Sequence, residues 1–89
     1  MITGKTSTGF VFAFSQDVVN DRQMLIAIGK ADKGDIESID YVGIKLLGED
    51  KYNKLLEHIQ TEDGRQPVDA LLKEIAEMFG AYQQQTRKK

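Results

Sequence analysis

From Phe10 to Phe14 the chain alternates. Phe10, Phe12 and Phe14 fall on one face of an extended strand, with Val11 and Ala13 on the other. Thr6-Ser7-Thr8-Gly9 has turn composition, so residues 1–5 pair back as a short first strand and close a hairpin. Two strands alone are marginal in water, so the aromatic face needs a cover. The later helices are the available cover.

Beyond residue 16 the apolar spacing turns helical. Asp17 or Asn20-Asp21 caps a segment reaching about Ala31, with Val18, Met24, Leu25, Ile28 and Ala31 on its inner side. The turn Asp32-Lys33-Gly34-Asp35 leads to a second helix, capped by Asp35 and facing inward through Ile36, Ile39, Val42, Leu46 and Leu47. Gly48 is its natural stop. Residues 50–60 make a third helix, with Tyr52, Leu55, Leu56 and Ile59 at i, i+3, i+4 and i+7.

The last helix begins at Pro67 and shows the cleanest apolar stripe: Val68, Leu71, Leu72, Ile75, Phe79 and Tyr82. Gly80 interrupts it at up to ~1 kcal/mol if it stays helical. Regular helix is therefore expected to Phe79, with fraying by Gln85. The expected fold is mainly α, of the α+β class: a short N-terminal β-hairpin followed by about four short helices. Residues 1–86 form one domain, with a frayed basic terminus at 87–89. Phe12 and Leu72 are expected core positions.

Composition narrows the chemistry. Hydrophobic residues make up 40% of the 89, which suits a folded chain. The absence of Cys excludes disulfides and thiolate metal sites, and His58, the only His, excludes a multi-His cluster within one chain. No apolar run approaches the ~20 residues of a membrane span, and Met1-Ile2-Thr3 does not open a signal sequence. The chain reads as soluble and intracellular. Its net charge of −2 hides an asymmetry: residues 1–86 carry nine Lys/Arg against fourteen Asp/Glu, a net of −5, before Arg87, Lys88 and Lys89. An acidic body argues against phosphate-backbone binding as the main task.

The motifs that suggest chemistry each have a plainer reading. Gly4-Lys5-Thr6 ends like a P-loop, but the Gly that such a loop needs five residues earlier has no room. The acids of Asp32–Glu37 are in the wrong order for a calcium loop and suit a helix cap. His58 is a general-base candidate without a partner, flanked on its helix by Lys54 and Glu62, and reads as a solvated or interface residue. The helix–Gly48–helix segment superficially resembles a helix-turn-helix. Lys51, Asn53, Lys54 and Gln60 would read DNA, but Glu49 and Asp50 sit where phosphates would lie. In "TEDGRQP", Gly64, Pro67 and Asp69 serve the joint between two helices, through a positive φ that ends the third helix, a first-turn proline and a favourable first-turn acid. Glu62, Asp63 and Arg65 are left exposed there as candidate partner contacts. No catalytic, cofactor or metal residues are assigned.

Residues 44–79 resemble small proteins encoded beside the tail genes of siphophages and prophages of Gram-positive bacteria. The matching pieces are Thr8-Gly9-Phe10, Leu46-Leu47-Gly48, Tyr52–Leu55, Glu62–Arg65 with Pro67-Val68, and Glu77–Phe79; Glu62–Val68 is the most specific. Gly80 and the Gln-rich tail depart from the pattern. The resemblance implies a non-enzymatic tail assembly chaperone in the cytoplasm of the bacterial host. It implies binding to the tape-measure protein or another helical protein, weak homo-oligomers and no cofactor. The alternative is a small prophage regulator or inhibitor that binds a host protein or DNA.

Overall fold

A computed structural model describes residues 1–87. Strands β1 (Ile2–Lys5) and β2 (Val11–Phe14) form an antiparallel hairpin in which Ile2 faces Phe14 and Gly4 faces Phe12. A 3₁₀ turn (Gln16–Val18) leads to helices α1 (Arg22–Asp32), α2 (Ile36–Leu47), α3 (Glu49–Ile59) and α4 (Val68–Thr86). The α+β architecture expected from the alternation and the helical spacing is the one observed. Phe10, Phe12 and Phe14 are all buried, in one cluster with residues from all four helices. Gly4 is needed for close approach, since a Cβ there would stand 2.7 Å from Phe12 Cζ.

One residue separates α2 from α3. Gly48, at φ 84°, donates its N–H to Ile44 O (2.8 Å), and its carbonyl accepts from Tyr52 N (3.0 Å). The resulting sharp corner brings the Tyr52 ring against Gly43 in the middle of α2. Tyr52 is buried, and its hydroxyl donates to Asp40 Oδ1 at 2.6 Å. Burial first, then the Asp40 carboxylate, pushes the phenol's pKa above its usual range. The hydroxyl therefore keeps its proton and satisfies itself across the corner.

The facing of three helices differs from expectation, while α1 takes the later of its two expected starts. Asp17 lies in the 3₁₀ turn, where its N–H donates to the Ser15 hydroxyl, and α1 begins only at Arg22 with Asp21 as its cap. This phase turns Met24, Ala27 and Ala31 inward and leaves Leu25 60% exposed. Val19, on the approach, is buried. Ile36 is exposed because it is the first residue of α2, at an open helix end.

In α4 the buried stripe is Leu71, Glu74, Ile75 and Met78, so the helix is rotated from the face that its apolar residues alone would choose. Val68 is exposed, and Leu72, Phe79 and Tyr82 are only half-buried. Leu72 is thus not a full core residue. The helix also runs through Gly80 to Thr86. The Gln85 side-chain amide anchors this last turn. It donates to Thr3 O (2.7 Å) and accepts from Thr3 N (3.3 Å), taking both backbone groups of an edge-strand residue. Lys88 and Lys89 of the expected frayed terminus lie outside the described residues.

Candidate functional site

The rotation of α4 leaves Leu72, Phe79 and Tyr82 only partly covered at the edge of the core. They line a groove of about 860 Å³ between α1 and α4. Leu25, Gly29 and Asp32, spaced four and three residues apart, form one wall. Along the other run Asp69, Lys73, Ala76, Gly80 and Gln83, again a single helical stripe. Besides the half-buried Leu72, Phe79 and Tyr82 from α4, the buried Ala31, Val42 and Ile75 border it from the core. An open groove of this size has room for several large apolar side chains of a partner. The stripe from Val68 to Tyr82 signalled an apolar surface in the sequence, but not that half of it would stay uncovered.

A polar cluster lies elsewhere, where the hairpin turn meets α3 and α4. Glu74 is 1% exposed, and its Oε2 accepts from the Thr8 hydroxyl at 2.7 Å. His58 Nε2 lies 2.9 Å from the same hydroxyl oxygen. A hydroxyl has one proton, and Thr8 has given it to Glu74, so His58 is the donor from Nε2. This order is unlike a catalytic triad, in which the histidine takes the hydroxyl proton and the carboxylate holds the histidine. Thr6 completes the turn by accepting from Phe10 N (3.1 Å). Among the described residues Glu74 Oε1 has no hydrogen-bond partner.

His58 is exposed, as expected, but α3 ends at Ile59, so Glu62 lies beyond the helix rather than one turn along it. The Phe10 ring is 5.4 Å from the His58 ring, and the Lys51 ammonium sits 5.4 Å over the same Phe10. Lys51, first of the DNA-reading candidates, therefore rests against the body of the fold. Spacing alone did not disclose this cluster, because Thr8, His58 and Glu74 come from three distant segments.

Ser7 adds a second tie, with its backbone N–H and hydroxyl donating to the two Glu77 oxygens at 2.7 and 2.8 Å. The Ser7 N–H, then its hydroxyl, hold the Glu77 carboxyl below its ordinary pKa of 4.5. A carboxylate depressed on folding contributes stability above its unfolded value, lost as pH falls through the folded one. Thermal melts of the wild type should therefore lose stability below about pH 4.5, and Glu77→Gln should flatten that limb. Parallel acid limbs for the two proteins would contradict this role.

The predicted contact corner is a self-contained turn. Thr61 N donates to Arg65 O (2.8 Å), Gly64 N donates to Thr61 O (3.0 Å), and Gly64 takes φ 88°. Gly64 thus shapes the turn, while α3 has already ended at Ile59. Pro67 caps α4 rather than entering it, and Asp69 accepts from Ala70 N. Glu62, Asp63 and Arg65 are exposed, and Arg65 Nε donates to both Asp63 oxygens at 3.2 and 3.0 Å. The Thr61 hydroxyl, then Arg65, hold the Asp63 carboxyl below its ordinary value. Exposed pairs of this kind contribute little. Arg65→Ala should leave the melting temperature essentially unchanged, and a clear drop would make Arg65 a structural part of the joint.

Among the described residues no group of three or more His, Cys, Asp or Glu is placed to hold a metal ion, and no helix is long and apolar enough to cross a membrane. No family model, curated protein or solved structure matches the chain.

Proposed function

We propose that this chain is a non-enzymatic helper that binds a helical protein, in the manner of a phage or prophage tail assembly chaperone. Its client in that role is the tape-measure protein, held during tail morphogenesis in the bacterial cytoplasm. The observation that carries the reading is the apolar groove between α1 and α4, whose walls are helical stripes. A helix laid there would bury its own stripe on Leu72, Phe79 and Leu25. The resemblance of residues 44–79 to tail assembly proteins supplies the kind of client. Weak self-association fits an assembly helper needed in many copies.

The test is co-expression with a helical fragment of the tape-measure protein from the same phage or prophage. The expected result is a soluble complex that survives purification and is lost with Ala76→Glu, which places a charge in the groove from an exposed position. A fragment that precipitates equally with and without the chain would overturn the proposal.

A further inference from the structure

We infer that the groove seats one basic amphipathic helix at close range, and that Gly29 and Gly80 set that range. The inference rests on the reading of the groove as a helix-binding site and names the chemistry of its occupant.

Both glycines lie inside helices, Gly29 in α1 and Gly80 in α4. Neither has a positive φ; the glycines that do are Gly9, Gly34, Gly48 and Gly64. Among the described residues, a Cβ built on either meets nothing within 4 Å. Gly4 and Gly43 are different, because there a Cβ would collide with Phe12 or Tyr52. Backbone conformation and internal packing therefore give no reason for Gly at 29 or 80, where Ala would favour the helix. The two positions share one property: they line the same groove from opposite walls. With no side chain at either, a third helix can approach α1 and α4 more closely than the usual ~8–10 Å between axes.

Charge selects among the helices that would fit. The groove lining carries Asp32 and Asp69 against Lys73. Residues 1–86 have fourteen acids against nine bases, and the full chain stays acidic at fourteen against twelve. This field attracts a helix whose apolar stripe is flanked by Lys or Arg and repels one flanked by Glu.

The experiment uses two labelled helical peptides of about 20 residues. Both have a Leu/Ala stripe, and one is flanked by Lys and the other by Glu. Fluorescence anisotropy follows their binding to the full chain and to Gly29→Ala, Gly80→Ala and the double variant. The Gly→Ala changes should raise the melting temperature by roughly 2–8 °C. The double variant should nevertheless bind the Lys-flanked peptide at least about tenfold more weakly. Stability and affinity then move in opposite directions, which a merely damaged fold would not do. Equal affinity in wild type and double variant removes the role of the glycines while leaving helix binding intact. A preference for the Glu-flanked peptide overturns the choice of a basic helix. Failure of the wild type to bind either peptide removes the helix-binding reading itself. A wild-type dimer in sedimentation that the double variant abolishes makes a second copy the occupant and also overturns the inference.

Discussion

Phe12→Ala should cost about 3–5 kcal/mol. The ring is 3% exposed, stacks on Phe14 with centroids 6.0 Å apart, and covers Gly4 on the facing strand. Gly4 has no side chain with which to refill the space, so the cavity collapses poorly and bares a strand backbone as well. A chain of this length has roughly 4–13 kcal/mol in total, so the variant stands close to its unfolding limit. Urea titration by circular dichroism should show a much lower midpoint with an unchanged slope. Leu72→Ala, on the half-buried wall of the groove, should cost only about 1 kcal/mol. A midpoint equal to wild type for Phe12→Ala would refute the placement of the aromatic face in the core.

Gly43→Ala is the second large effect, and its cause is crowding. The new methyl would stand 2.1 Å from Tyr52 Cε1 and 2.4 Å from Cδ1. The ring has nowhere to go: it is 2% exposed, and its hydroxyl is tied to Asp40. Either α2 and α3 separate or the ring leaves its place, at about 1–3 kcal/mol net of the ~1 kcal/mol that Ala gains as a helix former. A double-mutant cycle isolates the collision. With Tyr52→Ala in the background, Gly43→Ala should change sign and stabilise by up to ~1 kcal/mol. The same destabilisation in both backgrounds would show that the methyl meets something other than the ring.

These two sites show what kind of information the sequence carries. The period-two pattern of Phe10, Phe12 and Phe14 names the buried face of a strand, because a strand has only two faces. A helix has a continuum of facings, and the one that is buried depends on its packing against the rest of the fold as well as on its apolar stripe. In α1, which starts from Asp21, one of the two expected caps, the observed rotation takes Leu25 out of the core and brings Ala27 in. In α4 the apolar residues span more than one face, and the choice fell on the one containing Glu74. Glu74 lies outside the apolar stripe that periodicity picks out, while the Thr8 hydroxyl, 66 positions away in sequence, supplies its hydrogen-bond partner. Gly80 was legible as a local cost to the helix, but not the Gln85–Thr3 bonds that hold the turn beyond it. The groove was the least legible feature, since it exists only where α1 and α4 fail to close on each other. The corner at residues 61–65 was visible as a turn, whereas the mutual hold of Asp63 and Arg65 across Gly64 depends on its three-dimensional shape.

The bonds between Gln85 and Thr3 join positions 82 apart in sequence. They make the described chain almost a ring, with the break between two neighbouring points on its surface. A short linker across that break, with new ends opened in the exposed turn at Glu62–Gly64, would circularly permute the molecule and leave every buried element intact. In the permuted chain the hairpin would follow α4 directly. The Thr3–Gln85 contact would then close a short loop rather than the longest one in the fold, and its ordering cost on folding would fall accordingly.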